Sequence, residues 1–369
     1  MLELTNIFDT KRDGYKDFRI PVVCVTARGT VLCCAEARQV HYDWGQIDIL
    51  LRRSTDDGCT FDAPQAISHY AGEVERDEWH AARHPNMTGE GRTYNNPVLI
   101  ADRSGVVHFL FCIEYRRVFC RRSEDDGRTW TQTREISAAV EPLREIYPWR
   151  VVATGPNHGI QLRSGRLVVP IWLARGSEKE GGDHRPSVVS SLYSDDGGQT
   201  WHCGDIVAQE REPAPNPNET VAAELSDGSV MFNMRSESGE HRRLIATSPD
   251  GATNWSYPEF HPELFDPVCH AGLVRVGGDL VFSNPNPAQG AWHRNNLVIK
   301  LSHDDGKTWP VQRVLAPGSA GYSDMAVLPD GTLLCLYEWC LDEQEVYRKG
   351  VHTLARFDLH WLLNGESGA

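Results

Sequence analysis

Ser302-His-Asp-Asp-Gly-Lys-Thr-Trp309 decides the fold of this chain, because serine, aspartate, glycine and threonine at alternate positions, closed by an aromatic residue, recur along it. Ser54-Thr-Asp-Asp-Gly-Cys-Thr-Phe61, Ser123-Glu-Asp-Asp-Gly-Arg-Thr-Trp130 and Ser194-Asp-Asp-Gly-Gly-Gln-Thr-Trp201 follow the same pattern. A fifth stretch, Ser248-Pro-Asp-Gly-Ala-Thr-Asn-Trp255, keeps the serine, aspartate and tryptophan but has Ala252 and Asn254 at the glycine and threonine positions, and it reads as a degenerate copy. The chemistry is that of a hairpin turn. The aspartate accepts hydrogen bonds from amides ahead of it, glycine takes a positive φ, and the aromatic ring plugs an apolar layer. These carboxylates are therefore structural and are set aside as catalytic candidates.

Working outward, the starting serines are 69, 71, 54 and 54 positions apart. Short apolar or alternating runs lie between them, at 22–26, 30–34, 47–52, 107–112, 167–171, 229–233, 297–301 and 332–337. Each is bounded by Gly, Asp or Pro and reads as a strand. No long helical periodicity interrupts them. Repeats of this length suit the four-stranded blades of a β-propeller. The stretch 71–95, rich in charge, histidine and glycine, is expected to be a long loop overhanging a binding face. The segment 351–363 is expected to supply the strand that closes the ring. With no linker or composition shift, residues 1–369 are expected to form a single domain.

Composition narrows the partners. A formal net charge of −14 lacks the basic footprint needed for nucleic acid or an anionic membrane. An anionic ligand would need a local cationic cluster. Residues 1–18 lack the apolar stretch of about 7–15 residues typical of a signal peptide, and no run is long enough to span a bilayer. Ten cysteines, without a CxxC metal pattern, are expected to be reduced and mostly buried. Together these features predict a soluble, cytoplasmic protein, or a secreted one if a signal segment has been removed, and oligomeric state is left open.

More specific are Phe18-Arg19-Ile20-Pro21, Glu36-Ala-Arg38, the segment from Asp43 to Arg52, Gly155-Pro-Asn-His-Gly-Ile160 and Gly165-Arg-Leu167. They are followed by Asn218-Glu219, Asn233-Met-Arg235-Ser236, Ser283-Asn284-Pro285 with Arg294, Gly321-Tyr-Ser323 and Leu336-Tyr-Glu338. In residues and order this series resembles the exo-α-sialidase (neuraminidase) family, from about residue 18 to about residue 338. The resemblance implies an all-β, six-bladed propeller with Asp-box turns. Asn157 departs from the family's glycine and is expected to reshape a loop near the sugar.

The implied substrate is a terminal α-linked sialic acid, whose carboxylate sits on the anomeric carbon. Holding it calls for cations that do not titrate, and arginine makes paired, charge-assisted bonds to a carboxylate. By motif these are Arg19, Arg235 and Arg294. A carboxylate nucleophile would be repelled there, whereas a tyrosine approaches neutral and is activated by a base. Tyr322 matches the nucleophile and Glu219 its base. Asp43, nine positions before Arg52, matches the acid/base group, with Asp48 as its rival. Trp44, Asp48, His158 and Trp292 are candidate sugar-pocket residues. No metal or organic cofactor is implied. Two alternatives stand beside hydrolysis of sialic acid: the same mechanism on another 2-ulosonic acid, such as the deaminated sugar, and a noncatalytic carbohydrate-binding propeller. Transfer to a sugar acceptor is a variant of the first reading.

Overall fold

A computed structural model describes residues 1–74, 78–83, 91–179, 182–209, 214–287, 293–339 and 350–364. Its strands form consecutive antiparallel sheets, as a chain of short alternating runs and tight turns requires. The first sheet contains Asp17–Val25, Val31–Arg38, Ile47–Ser54 and Gln65–Ala66 in sequence order. The second runs from Tyr94–Ala101 through Val107–Ile113 and Arg117–Ser123 to Arg134–Glu135, and Asn157–His158 joins it in parallel beside Val98 and Leu99. The third is built on Leu167–Ala174 and Ser187–Ser194, the fourth on Thr220–Glu224, Val230–Met234, Arg242–Ser248 and Glu259–Phe265. A seven-stranded sheet completes the set. In it the long strand Val311–Val327 pairs first with Asn295–Ser302 and then, beyond Ala320, with Leu333–Trp339.

Each repeated turn is held as its sequence predicts. In the first, the Ser54 hydroxyl donates to Asp56 (2.7 Å) and accepts from the Gly58 amide (2.9 Å), while the Thr60 amide and hydroxyl donate to Asp56 at 2.9 and 2.6 Å. Asp57 and Gly58 take the left-handed φ values of +60° and +82°. The 248–255 copy is shifted by one residue. Gly251 supplies the positive φ, and Thr253, one position early, donates its amide to Asp250 at 2.8 Å. Asn254, at φ +54°, takes up the extra residue.

Apolar packing is distributed between neighbouring sheets. Val22, Leu32 and Leu51 of the first pack with Leu99, Phe109 and Phe119 of the second. Val221 and Met231 pack with Leu273 and Phe282, sealed by Trp309. The innermost strands are joined by polar contacts instead: Asp324 accepts from the Val23 amide at 2.9 Å, and Ser283 and Ser323 share a hydrogen bond of 2.8 Å. Nine described cysteines are free thiols, seven of them buried.

Two expectations change, and one element is added. The closing strand ends at Phe357, where Leu359–Asn364 turns into a helix that packs Trp361 and Leu362 inward. Its outer neighbour is Leu2–Asp9, so the chain's first residues complete the last sheet. As an edge strand it buries little, chiefly Ile7 and Phe8. Within 71–95, Glu78–Arg83 is a short helix and a strand begins at Tyr94.

Candidate active site

A cavity of about 390 Å³ opens where the inner strands present Arg19, Glu219 and Tyr322 together, with Asp43, Arg235 and Arg294 in the same wall. The side chains arrive from distant parts of the chain, and only the arrangement of sheets brings them together.

Tyr322 lies at the centre. Its hydroxyl donates to Glu219 Oε1 at 2.8 Å and accepts from Arg235 Nη1 at 2.6 Å. Glu219 and Arg235 also form an ion pair of 2.7 Å. The guanidinium carbons of Arg19 and Arg294 each lie 5.2 Å from the centre of the tyrosine ring. Burial pushes the Tyr322 hydroxyl far above its ordinary pKa and the Glu219 charge adds to that, against the opposing pull of Arg235, Arg294 and Arg19. The tyrosine is therefore neutral, with Glu219 in contact with its hydroxyl.

Glu338 builds the floor of the cation cluster. Its Oε1 accepts from Arg19 Nε (2.8 Å) and the Ile20 amide (3.1 Å), and its Oε2 accepts from the Tyr322 amide (3.0 Å). Burial would raise this carboxyl, but Arg19 and His352 outweigh it and bring it down to about 2. Ile20 sits at φ +60°, a conformation β-branched residues avoid, and packs against Tyr322 and Cys269. Asn218 accepts from Arg235 Nε at 2.7 Å, and Arg294 donates to the Val268 carbonyl. The three arginines are thus fixed before any ligand arrives.

Asp43 lies on a loop after Val31–Arg38, with its side chain 44% exposed. Arg38, itself buried, donates to Asp43 Oδ1 at 2.9 Å and to the Tyr42 carbonyl at 3.1 Å, while Glu36 holds Arg38 from behind at 2.6 Å. Desolvation raises the Asp43 carboxyl, but Arg38, His184 and Arg19 more than cancel it and leave it well below the carboxylate range. Asp48 lies outside the cavity lining and accepts from the Tyr15 hydroxyl at 3.1 Å, so the loop residue and not the strand residue faces the pocket.

Trp44 lines the cavity, its ring centre 4.7 Å from those of Tyr115 and His184. Trp292 lies outside the described residues. His158 is not in this pocket. Its Nδ1 is 2.7 Å from Asp324, and it lines a different cavity of about 550 Å³ with Arg163, Arg275 and Val327. Neighbouring Asn157 adopts φ +86°, the conformation a glycine would take, so the backbone keeps its course. Its amide donates to the Ser323 and Ala271 carbonyls at 2.8 and 3.3 Å. The side chain thus ties inner strands together, and Asn157 does not line the cavity that holds Tyr322.

Glu338 and Arg38 stood inside quoted motifs, yet a strand pattern does not reveal which carboxylate meets which guanidinium. Tyr115, Trp172 and His184 also line the pocket. None of the three stands in a quoted motif.

Residues 71–335 match the family profile described as BNR repeat-like domain. A sialidase of Micromonospora viridifaciens is 32% identical over 363 residues, covering 89% of this chain and 50% of that protein. The chain belongs to the sialidase family. A Bacteroides fragilis sialidase is 29% identical over 356 residues, covering 88% of this chain and 60% of that protein. The chain therefore spans between half and three-fifths of these two sialidases. Among solved structures, the intramolecular trans-sialidase from Ruminococcus gnavus, in complex with oseltamivir carboxylate, superposes with a TM-score of 0.76 at 19% identity, covering 97% of this chain and 98% of that one. At that identity the likeness is one of fold, and it agrees with a β-rich architecture of the sialidase propeller type.

Proposed function

We propose that this chain is a retaining exo-glycosidase that removes terminal α-linked sialic acid from glycoconjugates through Tyr322. The observation that carries the reading is the Tyr322 hydroxyl held between Glu219 and Arg235 beneath two further arginines. Tyrosine beside a carboxylate and under three fixed cations suits an anomeric centre that itself bears a carboxylate. The cavity lies near the small end of ligand pockets, which run from about 300 to 1,000 Å³, and suits one terminal sugar.

Arg19, Arg235 and Arg294 receive the substrate carboxylate. Asp43 gives its proton to the leaving oxygen as Tyr322 attacks the anomeric carbon and Glu219 takes the phenol proton. Water, deprotonated by Asp43, then displaces the tyrosine, Glu219 returns the proton, and two inversions give net retention. Asp43 is ionised by its surroundings, so it must gain its proton as substrate binds. The incoming carboxylate offsets the Arg19 charge that holds Asp43 down, and the sugar displaces water from it; both effects raise its pKa.

The same reading takes residues 1–369 as one catalytic domain of six blades. Dividing the seven-stranded sheet at the change of partner along Val311–Val327 gives two blades, which join the other four sheets.

The test is fluorophore release from umbelliferyl α-glycosides of N-acetylneuraminic acid and of its deaminated analogue, with Tyr322→Phe as control. Turnover of the first, lost in the variant, supports the reading. Turnover of the deaminated sugar alone moves the protein to another ulosonic acid, and silence on both leaves a binding propeller.

A further inference from the structure

Tyr42 combines two features that no other described residue shares: it lines the pocket, and its side chain is an exposed large apolar surface, at 67% exposure. The other described residues with such exposed apolar surface, among them Leu4, Ile146 and Tyr257, lie away from the cavity. An aromatic ring left in water at the rim of a pocket is a ready contact surface, because its apolar face gains from being covered while its hydroxyl stays wet.

Its position says what would cover it. Asp43, the next residue, is the group assigned to protonate the departing oxygen, so it must stand on the leaving-group side of the anomeric carbon. Buried Arg38 donates both to the Tyr42 carbonyl and to the Asp43 carboxylate, at 3.1 and 2.9 Å. Ring and acid are therefore placed as one unit. Trp44, on the other side of Asp43, turns inward against Tyr115 and His184 and is 6% exposed. The loop thus sends one aromatic into the sugar pocket and one outward, with the acid between them.

We infer that Tyr42 is a specificity-determining residue whose ring stacks on the apolar face of a hexopyranose leaving group, so that the preferred substrate carries its sialic acid on another sugar and not on a small alcohol. This inference rests on the reading of the pocket as a sialoside hydrolase. A pyranose presents a flat face of C–H bonds, and covering an aromatic with it strengthens binding by the few-fold to tenfold that ring contacts of this kind supply.

The experiment compares two substrates whose aglycones are both unactivated alcohols and need the Asp43 proton equally: the methyl α-glycoside of N-acetylneuraminic acid, and the same sugar α-linked to lactose. Rates are measured for the wild type, Tyr42→Ala and Tyr42→Phe. Expected is a fall of roughly three- to tenfold in kcat/KM for Tyr42→Ala on the lactose conjugate, carried mainly by KM. The methyl glycoside should be hydrolysed unchanged, and Tyr42→Phe should behave as wild type on both. Equal losses on both substrates would overturn the inference, because they would mean that the substitution acts through the position of Asp43. No change on either would overturn it as well. A wild type that turns over neither substrate would overturn the hydrolase reading, and this inference with it.

Discussion

The hydroxyl of Tyr322 donates to Glu219 across 2.8 Å, although the two residues are 103 positions apart in the chain. A tyrosine held neutral by burial becomes a nucleophile only if a base removes its proton during attack, and Glu219 is in contact with it. Glu219→Gln is therefore expected to lower kcat by about 10²- to 10⁴-fold, the usual scale of general-base assistance, with KM little changed. Steady-state rates on the umbelliferyl sialoside check this. A loss confined to KM would remove Glu219 from the chemistry.

In the proposed reaction Asp43 supplies a proton whose importance depends on the leaving group. Umbelliferone departs readily as an anion, whereas a sugar alcohol does not. Asp43→Ala should therefore depress kcat/KM far more on a galactose-linked substrate, by about 10²-fold or more, than on the umbelliferyl glycoside. Equal losses on the two substrates would argue against Asp43 as the acid.

Glu338 couples stability to pH. Its pKa is lowered from 4.5 to about 2 in the folded state. A depressed carboxyl favours the fold above its unfolded pKa, and the contribution disappears as pH falls from 4.5 through 2. Glu338→Gln strands Arg19 without its buried counter-charge and should cost about 3–5 kcal/mol at pH 7. Denaturant midpoints of wild type and variant should converge as pH is lowered through that window. A gap that stays constant would assign the loss to packing and not to charge.

Asn157 separates backbone conformation from side-chain bonding. Asn157→Gly keeps access to φ +86° but releases the Ser323 and Ala271 carbonyls, whereas Asn157→Ala also strains the backbone. Alanine is expected to destabilise the protein more than glycine, by about 1 kcal/mol, in thermal unfolding. Equal stability of the two variants would mean that the positive φ carries no cost here.

Some of this protein was legible from its residues. The Asp-box turns follow from local chemistry, since serine, aspartate, glycine and threonine close their bonds within a few residues of one another. The shifted copy at 248–255 looked degenerate because its glycine and threonine had moved together by one place, and only the hydrogen bonds reveal that Asp250 still has its donors. The choice of Asp43 over Asp48 rested on loop against strand and agrees with the pocket lining. His158 stood in a matching motif, but its imidazole turns to Asp324 on another inner strand.

The sequence by itself determined the turns, the strand-rich repeat and the set of arginines, tyrosine and carboxylates, because these depend on residue type and on contacts a few positions apart. Only the tertiary structure decided that Glu338 anchors Arg19 and Tyr322, that Arg38 fixes Tyr42 and Asp43 together, and that Leu2–Asp9 completes the final sheet. Those pairings depend on where each sheet places its inner strand relative to the others. A buried charge takes as partner whatever group the packing of sheets brings within reach, and linear spacing carries no record of that choice.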